Sequence, residues 1–415
     1  MNNKVPFFRP QIEEAEVLEV VEALRSGWLT TGPRVKRFEE SFAIAVGATH
    51  AVAMNSCTAA LHLAVRALGL RPGDGVLVPT LTFAATAEVV RYEGGIPILV
   101  DCDPSTLNMD LNDAERIVAL VKSGATLAGL PKRLPIVGMM PVHVGGMMME
   151  IDAINAFASR HNLWVVEDAA HAFPAAWRRG PEEPWQRCGQ QTAAVSCFSF
   201  YANKTITTGE GGMAVTADAE LAARMRLLSL HGLSQDAWDR YSGKGSWDYR
   251  ILAPGYKYNL TDIAAGIGIH QLARAETMRR EREAIAEEYL QRLADVDEVE
   301  LPPFDWNRVH SWHLFPLRIR LETLTIDRDT FIRKLVEAGV SCSVHWRPLH
   351  LHPYYEETFG WRPTDLPVAT AVWVRLVSIP IFSTMRRDEI DSVVDAVRSV
   401  CGRSSRVALA RANGG

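Results

Sequence analysis

Leu163-Trp164-Val165-Val166-Glu167-Asp168-Ala169-Ala170-His171 is the stretch on which the fold turns. Leu163 to Glu167 is an apolar run of strand length that ends on carboxylates followed by small residues. A run of this kind suits a strand buried on both faces, as in a parallel sheet with helices packed on each side. The same form recurs at His50–Asn55, Gly75–Pro79, Ile98–Asp101, Ile136–Val142, Ala194–Phe198 and Gly212–Thr216. Helical patterns lie between several of them: Leu61, Ala64, Val65 and Leu68 closed by Gly69, then Ile151–Arg160 and Ala219–Leu230. The alternation predicts an α/β fold, a largely parallel sheet flanked by helices.

The pattern changes near Thr261. A long charged helical stretch, Thr261–Leu293, carries Arg279, Arg280 and Arg282, which are expected on a solvated helix face. Shorter strands such as His313–Arg320 and a helix around Thr330–Ala338 follow. The expected division is a large α/β domain over 1–260 and a smaller α+β domain over 261–401. Residues 402–415, small and punctuated by arginines, are expected as a flexible tail.

Composition narrows the class. The chain has 415 residues and a formal net charge of −5, which gives no basic surface for gripping nucleic acid. The cysteines at 57, 102, 188, 197, 342 and 401 show neither CxxC pairing nor metal-ligand spacing, so no metal site and a reduced, cytoplasmic protein are expected. The start of the chain lacks the apolar stretch of a signal peptide. The longest apolar run, Leu134–Met149, is broken by Pro135, Pro141, His143 and a glycine pair, and reads as buried strand plus loop rather than a membrane span.

Four features fall at strand ends, where open α/β sheets place their ligands. Asn55-Ser56-Cys57-Thr58-Ala59-Ala60 is a turn of small residues running into a helix. Its free amides and the helix dipole favour a phosphate, although a simple N-cap reads the same way. Asp168, directly after an apolar strand, is poorly hydrated and needs a cationic partner such as a protonated pyridine nitrogen, or else caps the next helix. Lys204 follows Ser199-Phe200-Tyr201-Ala202-Asn203 and precedes a loop of threonines and glycines. Partial desolvation there lowers a lysine's pKa and makes the amine a nucleophile and proton shuttle, whereas an ordinary loop lysine is simply solvated. Thr82-Phe83 ends another strand, and Phe83 suits either a flat cofactor's face or the core.

In this order the residues resemble the DegT/DnrJ/EryC1/StrS family of sugar aminotransferases. The likeness runs from Gly27-Trp28-Leu29-Thr30-Thr31-Gly32-Pro33 to His345-Trp346-Arg347-Pro348-Leu349-His350. The resemblance implies a fold-type I PLP-dependent transferase with a mostly parallel sheet of the seven-stranded type. It also implies pyridoxal 5'-phosphate (PLP), held as a Schiff base on Lys204, with pyridoxamine 5'-phosphate (PMP) as the intermediate form. By the same likeness Asp168 pairs with the pyridine nitrogen and His171 lies against the ring or its 3-oxygen. Cys57, Thr58, Ala59 and Ser199 hold the phosphate, and Phe83 covers the ring. Lys257 or Asn259 reaches the phosphate from a neighbouring subunit, which implies a homodimer with shared sites. Thr30, Thr31, His313, His345 and His350 are weaker candidates for contact with the substrate, and for each histidine a structural role reads equally well.

The implied reaction is ping-pong transfer of an amino group from glutamate, or glutamine, to a keto sugar. A nucleotide-linked 4-keto-deoxysugar is expected, because the likeness extends to members acting at C4. A 3-keto sugar or a cyclitol is the alternative acceptor. Sugar dehydration fits less well, since relatives that dehydrate carry His where this chain has Lys204. A non-catalytic regulatory protein of the same fold fits least, because Asp168, Ser199 and Lys204 are all present. Ala172-Phe173-Pro174 and the long loop Arg178–Gln191 depart from the family pattern and bear on the acceptor pocket.

Overall fold

The structure is a computed structural model that describes residues 4–234 and 249–406. Its centre is a seven-stranded sheet. The strands are β1 (His50–Met54), β2 (Gly75–Pro79), β3 (Ile96–Val100), β4 (Ile136–Met139) and β5 (Trp164–Asp168), then β8 (Val195–Ser199) and β9 (Gly212–Thr216). Between β5 and β8 the chain makes two short strands outside this sheet, β6 (Ala176–Trp177) and β7 (Gln186–Arg187). The order across the main sheet is β1-β9-β8-β5-β4-β2-β3. Only β9 runs against its neighbours, pairing antiparallel with β1 and β8. The other ladders are parallel, so the C-terminal ends of β1, β2, β5 and β8 share one edge. This is the α/β architecture expected from the buried apolar runs, with each strand within about two residues of its expected start.

Burial explains why the strands read as apolar runs. Val76, Leu77, Val78, Ile98, Leu99, Val166 and Val195 are fully enclosed between helix layers. The helix Cys57–Ala67 is buried along nearly its whole length, which brings its first turn into the interior at the end of β1.

A second core gathers around β10 (Val299–Glu300), β12 (Phe315–Ile319) and β13 (Leu376–Ile379) with the helix Arg387–Ser404. The short β11 (Arg308–Val309) joins β6 and β7 instead. The two cores interleave along the chain. Val5 packs in the second, while Leu349, Tyr355 and Phe359 pack in the first. The helix Asp262–Ala273 belongs to the first core as well, held against Glu14–Ser26 and Pro33–Val46.

Three expectations need correcting. The charged stretch 261–293 is two helices, Asp262–Ala273 and Ala275–Arg292, broken at Arg274 where ψ is 2°. Arg279 and Arg282 are buried rather than solvated. Arg279 is clasped by Glu276 and Glu283, and Arg282 donates to the carbonyls of Trp312 and Ile381. The tail expectation fails for residues 402–406: the helix runs to Ser404, Ser405 pairs with Leu324, and the Arg406 amide donates to Thr323. Residues 407–415 lie outside the described residues.

Candidate active site

A cavity of about 370 Å³ opens at the C-terminal edge of the sheet. Its walls come from the turn after β1 (Ser56, Cys57, Thr58), the turn after β2 (Thr82, Phe83), the end of β5 and the turn beyond it (Asp168, His171), and the end of β8 and its following loop (Ser199, Lys204). His313, His345 and Trp346 close it from the other side.

The phosphate-type turn is built by Ser56, whose hydroxyl caps the helix by accepting from the Ala59 amide at 3.1 Å. Ala59 is buried, and its amide is given to this cap. Cys57 and Thr58 line the cavity, and first-turn amides have no partner within a helix. Close approach of β9 shapes the same turn. A Cβ on Gly212 would strike the Ser56 carbonyl and the Cys57 amide. Gly212→Ala is accordingly expected to destabilise the protein by about 1–3 kcal/mol and to weaken binding of a phosphate-bearing cofactor. Unchanged melting and unchanged affinity in that variant would contradict this role for the turn.

Asp168 is buried at the end of β5. Burial pushes its carboxyl up, against a bond from the Thr86 hydroxyl at 2.7 Å and one from the Ala170 amide at 3.2 Å. Glu167, one residue earlier, points to the opposite face as strand alternation requires. Burial raises its carboxyl too, yet His143, Ser196 and Thr192 outweigh that and hold it low. The Cys188 thiol lies in the same buried group as Glu167 and His143, with the three ligand-type atoms within 4.8 Å of one another.

Lys204 is half-buried, and desolvation of its amine brings it down to about 8, against the attraction of Cys57 and Asp168. Its Nζ lies 3.4 Å from His313 Nε2. Burial and the nearby lysine also hold His171 and His313 well below the usual histidine range, so both are neutral. His345 is brought to about 4 by the same two causes, and its ring is fixed by Ser378 at 2.9 Å. His171 stacks on Trp346, with ring centroids 5.0 Å apart, and accepts the Gly145 amide at 3.3 Å.

Several expected contacts lie elsewhere. His350 is buried between the hydroxyls of Thr80 (2.7 Å) and Thr370 (2.8 Å) and does not line the cavity; it fastens its segment to the end of β2. Thr31 donates to the Leu260 carbonyl and accepts from Asn259, and Thr30 uses its carbonyl to hold Asp262, so neither faces this cavity. Lys257 and Asn259 bond to each other on a segment pinned between Asn55 and Ser229, also away from it. The expected set also omitted Ser56, Thr82, Thr86, Tyr201, Asn203 and Trp346. Thr86 had one legible signal, its position one helical turn after Thr82.

The donor set fits PLP. A helix start that could receive a phosphate, a buried carboxylate and a lysine of lowered pKa converge on one cavity. Comparison with known proteins agrees. The model of the DegT/DnrJ/EryC1/StrS aminotransferase family matches residues 10–398. The spore coat polysaccharide biosynthesis protein SpsC of Bacillus subtilis is 41% identical over 400 residues, covering 96% of this chain and 97% of that protein. The putative sugar aminotransferase Spr1654 of Streptococcus pneumoniae, solved in PLP and PMP forms, superposes with a TM-score of 0.84 at 29% identity. That match in the PLP form covers 96% of this chain and 99% of the other. Family match, fold and cavity converge: the chain belongs to the DegT/DnrJ/EryC1/StrS aminotransferase family of PLP-dependent transaminases.

Proposed function

We propose that the protein transfers an amino group from glutamate to a nucleotide-linked 4-keto-deoxysugar, with Lys204 as both the cofactor's anchor and the proton carrier. The observation that carries this reading is the convergence of Lys204, Asp168, Ser199 and the Cys57–Thr58 turn on one cavity. Bound there, PLP supplies an electron sink that makes a carbon-bound proton removable and, as PMP, stores the amino group between half-reactions.

The chain's own residues set the rest. The turn at Ser56–Thr58 and Ser199 anchor the phosphate, and Asp168 presents negative charge to the pyridine nitrogen. Lys204 with its amine near 8 has a usable neutral fraction at neutral pH, which attack on a carbonyl carbon requires. Once free, the same amine would take a proton from the substrate carbon and deliver it to the carbon two bonds away, on the far side of the intervening nitrogen. Neutral His171 and His313 add no charge that would oppose its reprotonation. Attachment of PLP to the apoprotein is expected to speed up about tenfold per pH unit below about 8 and to level off above it. A rate flat across pH 6–8, followed by stopped-flow absorbance, would contradict a lysine of lowered pKa.

The sugar acceptor is supported by relatives named for polysaccharide biosynthesis and sugar amination. The 4-keto position rests on the likeness of His231-Gly232-Leu233, Pro254–Asp262 and His310–Phe315 to UDP-4-amino-4-deoxy-L-arabinose aminotransferase. Glutamate rests on the family resemblance. The proposed assembly is a homodimer in which Lys257 or Asn259 completes the partner's phosphate site, supported by their facing away from this chain's cavity and by exposed Ile251 and Leu252 nearby. The test is a panel of nucleotide-linked 3-keto and 4-keto sugars with glutamate and glutamine as donors. Turnover of a 4-keto sugar with glutamate is expected, and inactivity on every nucleotide sugar would overturn the acceptor.

A further inference from the structure

From the cavity wall at Thr82, two threonine hydroxyls lead in single file to Asp168. Thr82 closes the turn after β2, and Thr86 lies one turn on, in the helix Ala85–Tyr92. Both side chains are buried. Thr82 Oγ1 is 2.7 Å from Thr86 Oγ1, which is 2.7 Å from Asp168 Oδ2. These are ordinary lengths for strong O–H···O bonds.

The chemistry fixes the direction of this file. An ionised carboxylate only accepts, so Thr86 must donate to Asp168. A hydroxyl has a single proton, so Thr82 must in turn donate to Thr86. The carboxylate's other oxygen, Oδ1, accepts from the Ala170 amide at 3.2 Å. With one fixed donor on each oxygen, the carboxylate cannot rotate, and its remaining acceptor capacity is left for the cavity. Burial works to neutralise Asp168, and the Thr86 bond is the leading force against it, ahead of the Ala170 amide and the Lys204 charge. The titratable groups that act on or feel Asp168 are Lys204, His143, and the thiols of Cys57 and Cys197.

We propose that Thr82 and Thr86 form a hydroxyl relay that keeps Asp168 ionised and oriented, making Thr86 a positioning residue for the cofactor's ring nitrogen. The inference rests on the reading that Asp168 meets that nitrogen. A proton shared between the two stays on the nitrogen only while the carboxylate is the weaker base. A donor on the carboxylate lowers its basicity, and a second hydroxyl behind the first polarises it further. Losing the Thr86 hydroxyl lets the proton drift to Asp168, and the ring draws electrons less well.

The test uses the holoenzyme of Thr86→Val, Thr86→Ser, Thr82→Val and Asp168→Asn beside wild type. Three quantities are read: the pH midpoint of the lysine-bound cofactor's colour change, PLP affinity, and the single-turnover rate with glutamate. A charged ring nitrogen favours deprotonation nearby, so the midpoint is expected to rise by about one pH unit in Thr86→Val. The single-turnover rate is expected to fall about tenfold at saturating glutamate. Thr86→Ser should restore both, and Thr82→Val should move both in the same direction by less. If Thr86→Val does not fold, the Thr82→Val shift and the Thr86→Ser comparison decide the matter. A wild-type midpoint in folded Thr86→Val, with Asp168→Asn strongly shifted, overturns the relay and leaves the cofactor reading standing. Wild-type midpoints in both overturn the Asp168 reading and the relay with it.

Discussion

Lys204→Ala is expected to lower turnover by at least about 10⁴-fold, because one side chain supplies both the covalent anchor and the proton carrier. No other amine lines the cavity among the described residues. The variant should still bind PLP without a covalent bond, since the turn at Ser56–Thr58, Ser199 and Asp168 are untouched. It should also alter how the apoprotein's stability depends on pH. With the folded amine near 8 and the unfolded one near its ordinary value, the unfolded chain holds a proton that the folded chain lacks across that window. The contribution of Lys204 to stability therefore rises with pH between the two values, and Lys204→Ala should flatten that rise. Turnover near wild type, measured by keto-acid release, would remove Lys204 from the centre of the account.

Asp168→Asn has the second-largest expected effect. Asparagine keeps the shape: its one carbonyl oxygen can accept from the Ala170 amide while its amide nitrogen donates to the Thr86 hydroxyl, so folding should survive. What is lost is the negative charge facing the ring nitrogen. Removing one partner of a buried ion pair costs about 3–5 kcal/mol, which corresponds to a fall of roughly 10²-fold to several thousandfold in rate if the pair is present at the transition state. The fall should appear in the single-turnover rate with glutamate, with KM for glutamate much less affected. A rate within a few fold of wild type would mean that the cavity stabilises the developing charge by other means.

The sheet was legible because its strands are enclosed on both faces. Gly75–Pro79 carries no polar residue and Gly212–Thr216 only the threonine at its end, so neither apolar run is blurred, and both match the structure residue for residue. The convergence of Asp168, Ser199, Lys204 and the Cys57 turn was legible in part, because all four follow strands whose ends share an edge. Sequence alone failed where a side chain's setting depends on distant partners. Arg282 reads as one charge among five, and nothing local reveals that the carbonyls of Trp312 and Ile381 receive it. His350 sits in a motif beside His345, yet only the fold places Thr80, 270 residues earlier, against its ring. That the Ala59 amide is given to the Ser56 hydroxyl is likewise visible only in the structure. Thr86 was missed because a threonine in a helix offers no sign of a carboxylate 82 residues on.

The loop departures near the site have a structural setting. Phe173 packs in the core against Phe42, with ring centroids 4.8 Å apart, so the bulk that replaces a small residue faces the protein interior. The segment Arg178–Gln191 forms a hairpin with β6 and β7, and Arg178 lies 4.4 Å from the Trp185 ring centre. Neither residue lines the cavity, which His313, His345 and Trp346 do.

The central claim is that Lys204 carries the cofactor. Borohydride reduction of the purified holoenzyme, followed by proteolysis and peptide mass spectrometry, tests it most directly. The account predicts loss of the visible absorbance and a pyridoxyl-phosphate adduct on the peptide containing Lys204. A colourless protein that takes up no PLP, or an adduct on another lysine, would contradict it.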